Sequence, residues 1–233
     1  MVEKRLVISV DGLAGSGKTT LARLLAEKLG WIHFNSGLLY RGVAFLCQQN
    51  GVSPEDETKV LATLRSGKLA LKSDSKLGTR LFVNTVDRSE QVRAPEISDI
   101  TSRISVHPRV RAELVDVQKN IFPGCNIVAE GRDMGSVIFS ESAVKFFIEA
   151  REEVRIERRL RQLHEGMDLM SERDKGLIKQ MEIEIRERDK RDSERVAAPT
   201  KAAKNALVID NSLRPLTVVV EELYTEARKL MGA

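Results

Sequence analysis

The chain has 233 residues, 42% of them hydrophobic and 31% charged, with a formal net charge of +4. That length allows one sizeable core and a small insert, and the composition excludes a disordered chain. The slight positive surplus does not argue a nucleic-acid partner, no apolar run is long enough to span a membrane, and three scattered histidines (His33, His107, His164) give no zinc spacing.

Lys4-Arg5 precede an apolar run too short for a signal peptide; Leu6 to Val10 reads instead as a buried strand. It enters Gly12-Leu13-Ala14-Gly15-Ser16-Gly17-Lys18-Thr19, which fits Gly-x-x-x-x-Gly-Lys-[Ser/Thr], the phosphate-binding P-loop. Gly12 and Gly17 let the backbone turn its N–H groups toward one anion. Lys18 can reach the outer phosphates of a nucleoside triphosphate, and the Thr19 hydroxyl, with Thr20 next to it, can serve the phosphates and Mg²⁺. A helix follows to Leu29 with Leu21, Leu24, Leu25 and Leu29 on one side, so the anion would meet a helix N-terminus.

Gly30 reads as a helix stop, and Trp31 to Phe34 as a second strand with Trp31 in the core. Asn35-Ser36-Gly37-Leu38-Leu39-Tyr40-Arg41 then opens a helix to about Gln49, with Ser36 placed as its N-cap. Arg41, about a turn and a half along, can reach back to an anion at the loop. From 53 to 94 the character changes: a short helix from Pro54, Leu69 and Leu71 alternating, turn chemistry at 73–78, then Leu81, Val83 and Thr85 alternating. This is a small antiparallel β insert, either decorative or a functional flap.

Pro95 to Asn120 reads as helical with a break before Pro108. A third buried strand, Asn126 to Ala129, runs into Glu130-Gly131-Arg132-Asp133-Met134-Gly135. A charged Arg-Asp pair at the C-terminal end of a buried strand sits where open α/β sheets bind ligands. Val144 to Ile148 is the fourth strand. A helical arm spans 151–195: Ile156, Leu160, Leu163 and Met167 stripe its first helix, a polar loop runs from Gly166 to Lys175, and Arg188, Arg191 and Arg195 share a stripe on its second. Glu184–Arg188 and Glu187–Arg191 are also ordinary i, i+4 pairs that by themselves only solvate a helix. Ala206 to Asp210 is the fifth strand and Pro215 to Leu230 the last helix. Cys47 and Cys125 lie far apart and read as buried free thiols of a reducing cytoplasm. No predicted helix is apolar all round, so a monomer is expected.

Alternating strands and helices specify an α/β fold with a parallel sheet covered on both faces. Its C-terminal edge would collect the P-loop, Ser36 to Arg41 and Arg132-Asp133. No Asn-Lys-x-Asp is present to read guanine, and the best candidate for a Walker-B run, Asn126 to Glu130, ends in Glu-Gly-Arg-Asp instead of an apolar run closed by Asp. What remains is a supply of arginines aimed at a compact site. That suits transfer from a triphosphate to an acceptor that is itself a phosphate, where no proton must be removed and two polyanions must be brought together. Arginine forks match phosphate geometry. A P-loop protein that binds ATP or nucleic acid without transfer is the alternative from another class.

Together, the P-loop, Asn35-Ser36-Gly37-x-x-Tyr40-Arg41, Pro108-Arg109-Val110-Arg111, Glu130-Gly131-Arg132-Asp133-Met134-Gly135 and Glu187-Arg188-Asp189-x-Arg191-Asp192 resemble the bacterial cytidylate kinases, over nearly the whole chain. The resemblance implies a three-layer P-loop fold, a sheet in the order 2-3-1-4-5, a helical lid, and transfer of the ATP γ-phosphoryl to CMP or dCMP with Mg²⁺. It implies one kinase domain over 1–233, with the insert at 53–94 and the lid arm at 151–195. Carried over by residue, Arg41, Arg132 and Arg195 would clamp the acceptor phosphate, Arg188 and Asp192 would lie at its sugar, Ser36, Ser102, Arg111 and Asp133 would surround its base, and Tyr40 would belong to the same acceptor site. Lys18, Arg132, Arg155 and Arg159 would act at the transferring phosphoryl. Kinases for UMP, AMP or dTMP are the rivals of the same kind. The family usually has Asp where this chain has Asn35, often Asp where it has Glu130, and commonly a Gly-Pro-x-Gly-x-Gly-Lys-Gly loop. The Asn35 change bears on how strongly the metal is held.

Overall fold

The computed structural model describes residues 5–74, 78–163 and 175–232. Its elements run β1 (Val7–Gly12), α1 (Lys18–Leu29), β2 (Ile32–Asn35), α2 (Gly37–Gln49), α3 (Glu57–Ser66), β3 (Leu69–Asp74), β4 (Gly78–Val83), β5 (Val86–Asp87), α4 (Pro95–Ile104) and α5 (Pro108–Lys119). They continue with β6 (Ile127–Gly131), β7 (Val144–Glu149), α6 (Glu152–Leu163), α7 (Lys175–Glu194), β8 (Leu207–Asp210) and α8 (Leu216–Met231).

Five strands make one sheet in the order β2-β6-β1-β7-β8, and every pairing in it is parallel. Counted along the chain, this is the order 2-3-1-4-5. Parallel strands between helix layers must be apolar on both faces. Ile8, Val10 and Val128 accordingly pack under α1 and α8, against Leu21, Leu25, Val219 and Leu223. Ile127 and Ala129 face the other way, toward Val43 of α2, Ile97 and Ile104 of α4 and Leu114 of α5. Both α4 and α5 begin with proline at the first helical position, where a missing N–H costs nothing. The break between them falls before Pro108, as the pattern predicts.

The insert is an antiparallel sheet, β3-β4-β5. Thr85 does not continue the strand alternation. With Asn84 it forms the turn into β5, at φ +48° for Asn84 and +74° for Thr85, the left-handed pair that a two-residue hairpin requires. The insert is part of the core and no ornament. Leu71, Leu81 and Val83 are buried with α2. Gly42 lets Leu69 approach, since a Cβ there would lie 2.8 Å from Leu69 Cδ2. The Thr79 hydroxyl donates to the His33 carbonyl, tying β4 to the edge strand β2.

The arm has a small core of its own in Ile156, Leu160, Met181 and Ile185. Met167, the side chain of Leu163, positions 166–174 of the polar loop and 75–77 of the insert's turn lie outside the described residues. Two expectations are corrected. Trp31 is only partly buried, at the margin of the α1/α8 core, because β2 is an edge strand. Cys47 is buried but Cys125 is exposed, in the loop before β6, where nothing packs over it.

Leu81 is fully buried. Leu81→Ala should lower the unfolding free energy by about 2–5 kcal/mol, read from urea denaturation; a loss under about 1 kcal/mol would show that the insert rests on the core without belonging to it.

Candidate active site

All five strands of the main sheet point one way, so their C-terminal ends share an edge. There Asp11 lies beside Gly131, Asn35 beside Glu130, and Gly12 beside Ile148. The P-loop leaves β1 at Gly12, where φ is +154° and a Cβ would run into the Ile148 carbonyl. Only glycine fits. Gly17, at φ +87°, turns the chain into α1, and a Cβ there would sit 2.5 Å from Asn211 Nδ2. The amide of Asn211 donates to the Ser16 carbonyl at 2.8 Å and holds the loop from the β8 side.

Lys18 folds over the loop and donates to the Leu13 carbonyl at 3.0 Å. Burial, then the nearby charge of Arg132, pushes its pKa down to about 7. The Thr19 hydroxyl donates to Glu130 Oε2 at 2.8 Å, and Glu130 Oε1 lies 3.4 Å from His33 Nε2. Burial alone would raise the Glu130 pKa, but His33, Lys18 and Thr19 outweigh it and hold the carboxyl below its usual range.

A cavity of about 850 Å³ opens beside the loop, walled by Lys18, Thr19, Arg41, Arg132, Arg159 and Arg188 among others. Its cations crowd one another. Burial, then Arg188, Arg159, Arg93 and Arg132, pushes Arg41 down to about 9. Burial, then Arg132, pushes Arg188 down to about 10. Arg132 Nε bonds Asp192 Oδ2 at 2.9 Å. Burial raises the Asp192 carboxyl less than Arg132 and Arg188 lower it, and the net shift is downward. Among the described residues Arg188 Nε and Ser102 Oγ have no hydrogen-bond partner, and both residues line the cavity. Unsatisfied buried donors beside clustered guanidinium groups describe a preformed anion site.

At the far end Asp133 is paired with Arg111, and Arg195 Nη2 lies 3.9 Å from its other oxygen. Arg111 also donates to the Ser105 carbonyl at 3.2 Å and stands over the Tyr40 ring, 5.6 Å from its centroid. Burial raises the Tyr40 pKa despite these cations.

The cavity thus gathers Ala14, Gly15, Gly17, Lys18, Thr19, Thr20, Ser36, Tyr40, Arg41, Ser102, Arg111, Arg132, Asp133, Arg159, Arg188, Asp192 and Arg195 from the sequence reading. Gly12, Leu13, Ser16 and Arg155 stand behind its wall. Arg155 is committed elsewhere: it donates to the Ala14 and Ala150 carbonyls, each at 3.1 Å, and pairs with Asp189. It therefore fastens α6 to the P-loop. Ser36 precedes α2 but makes no side-chain cap; its hydroxyl donates to the Glu130 carbonyl at 2.8 Å. Sequence reasoning missed Asn211, Arg158 and Asp11. Asn211 follows the fifth strand at the ligand edge, a placement that could have flagged it. Arg158 lines the cavity and donates to the Asn211 carbonyl at 2.6 Å.

Comparison with known proteins agrees with this geometry. The family model described as cytidylate kinase matches residues 8–229. A curated cytidylate kinase of Methylococcus capsulatus is 39% identical over 88% of this chain and 89% of its own length. One of Aeromonas salmonicida is 35% identical over 97% of this chain and 95% of its own. A bifunctional pantoate ligase/cytidylate kinase of Prochlorococcus marinus is 35% identical over 96% of this chain, which spans only 42% of that longer protein.

Crowded cations oppose folding until an anion arrives. Arg188→Met should therefore leave the ligand-free protein with a melting temperature equal to or above the wild type, while the rise in melting temperature on adding millimolar inorganic phosphate shrinks. A large loss of stability without phosphate would mean that Arg188 serves the fold.

Proposed function

The chain belongs to the cytidylate kinase family, and we propose that it transfers the γ-phosphoryl of ATP to CMP or dCMP, giving ADP and CDP or dCDP. The observation that carries this reading is the Asp133–Arg111 pair at one end of a cavity whose other end is the P-loop. The donor triphosphate lies on the loop, with Lys18 at its outer phosphates. The acceptor phosphate lies among Arg41, Arg132 and Arg195. Arg188, whose Nε has no hydrogen-bond partner among the described residues, stands between that phosphate and the sugar, and Asp192 faces the sugar. Arg159 reaches the site from α6, and the arm at 151–195 closes as a lid that excludes water from the γ-phosphoryl.

The acceptor oxygen is already anionic near neutral pH, so no side chain need act as general base. The protein's task is alignment and cancellation of charge. Specificity follows from hydrogen-bond sense. A carboxylate can accept several hydrogen bonds, so Asp133 can take the cytosine N4 amine while holding Arg111. Uracil presents a carbonyl oxygen at that position, which Asp133 repels.

The donor set suits Mg²⁺. Mg²⁺ on a nucleotide is held mainly by phosphates and water with one or two protein groups. Thr19 would hold it, with Glu130 orienting that hydroxyl. When bound, Mg²⁺ neutralises phosphate charge. Among the described residues no helix is long and apolar enough to cross a membrane; together with a buried free thiol at Cys47 this supports a cytoplasmic enzyme. We assign it no nucleic-acid or membrane partner and a monomeric state.

An ADP-release assay across CMP, dCMP, UMP, AMP and dTMP tests the reading. CMP and dCMP should lead UMP in kcat/KM, and Asp133→Asn should cut the CMP/UMP ratio by about 10- to 100-fold. Faster turnover of another monophosphate, or an unchanged ratio in the variant, would contradict it.

A further inference from the structure

Asp11 is a buried carboxylate that the transfer chemistry does not use. It is the penultimate residue of β1, next in register to Gly131 on β6, and it does not line the cavity. Its Oδ1 accepts the Met134 N–H and its Oδ2 the Gly135 N–H, each at 2.8 Å. Those amides directly follow Arg132-Asp133. They open a single turn of π-helix, Met134–Ile138, closed by the Phe139 N–H donating to the Met134 carbonyl at 2.6 Å. The Asp133 carbonyl caps the same turn, accepting from the Val137 and Ile138 N–H groups at 2.9 and 3.1 Å. Turns of π-helix are rare and are frequent at functional sites.

The turn is held from other sides as well. A Cβ on Gly135 would lie 2.6 Å from Ser9 Oγ, and one on Gly131 would lie 2.6 Å from Ser36 Oγ. Little slack remains, so a shift of the two amides moves the backbone that carries Asp133. A neutral cap would cost less to bury. Asn or Ser would offer only one acceptor in that position, whereas a carboxylate accepts both N–H groups at once. Burial pushes Asp11 up to about 6 against the pull of the two amides, with Asp133 and Lys18 as the nearest charges; the chain thus keeps an expensive group there.

We propose that Asp11 is a positioning residue for acceptor selectivity: by gripping the Met134 and Gly135 amides from the end of the P-loop strand, it fixes the Arg132-Asp133 backbone that reads the acceptor base. This rests on the reading that Asp133 contacts that base.

The test is Asp11→Asn, assayed for KM and kcat with CMP, UMP and ATP beside Asp133→Asn and the wild type. The side chain keeps its shape, but its amide NH₂ must face one of the two N–H donors. KM for CMP should rise roughly tenfold or more, and the CMP/UMP ratio should fall toward that of Asp133→Asn. KM for ATP should move by less than about twofold, a split that general loss of structure would not produce. Unchanged CMP constants and CMP/UMP ratio in a folded Asp11→Asn would overturn the inference, and so would parallel losses for ATP and CMP. If Asp11→Asn does not fold, Gly135→Ala strains the same turn from the Ser9 side and should give the same CMP-selective loss; unchanged CMP constants there would overturn it. A wild type that does not phosphorylate CMP overturns the kinase reading itself, whereas an impaired Asp133→Asn beside a normal Asp11→Asn overturns this inference alone.

Discussion

Repulsion among buried cations is the constraint on which this molecule depends. Lys18, Arg41, Arg132 and Arg188 enter one cavity from four segments, and each of Lys18, Arg41 and Arg188 has its pKa lowered by burial and by its neighbours. Asp192 offsets part of that charge through Arg132, but among the described residues Arg188 Nε has no hydrogen-bond partner. Such an arrangement is unfavourable in the empty protein and favourable once phosphates occupy it. The rest of the fold acts as the clamp that tolerates it.

The clamp is the parallel sheet. Every strand of it ends at the same edge, so segments far apart in sequence converge without long loops. The tightest points of that edge are backbone-level. Gly12 has no room for a side chain against Ile148. Ser36 is bonded to the Glu130 carbonyl, and Asn211 is bonded to the Ser16 carbonyl. The β insert stiffens the open side by completing the core around α2 and gripping β2 through Thr79. The arm differs. It is fastened at its root by Arg155 and Arg158 to carbonyls of the P-loop, while beyond that its described apolar packing is four buried residues. A fixed root and a lightly packed body fit the lid role proposed for the arm.

Much of this is legible in the chain, because the main signals are local. The P-loop spacing, the apolar strands, the prolines at 95 and 108 and the Arg132-Asp133 pair after a buried strand each place themselves. What is not legible depends on partners distant in sequence. Ser36 has the residue type and place of an N-cap, yet the β6 carbonyl competes successfully for its hydroxyl. Arg155 looks equivalent to Arg159 one turn later, but the P-loop and Asp189 claim it. Thr85 fits the strand alternation until the hairpin needs two left-handed residues. Asp11 resembles an ordinary residue between a strand and a glycine, and only the fold brings the Met134 and Gly135 amides to it.

The most direct measurement is a crystal structure with CMP and a non-hydrolysable ATP analogue bound together. The account predicts both nucleotides in the one cavity, phosphates facing, with Arg41, Arg132 and Arg195 within hydrogen-bond distance of the acceptor phosphate, Arg188 between it and the sugar, and Asp133 at the cytosine amine. Nucleotides bound apart, or guanidinium groups still held only by protein carboxylates and carbonyls, would contradict it.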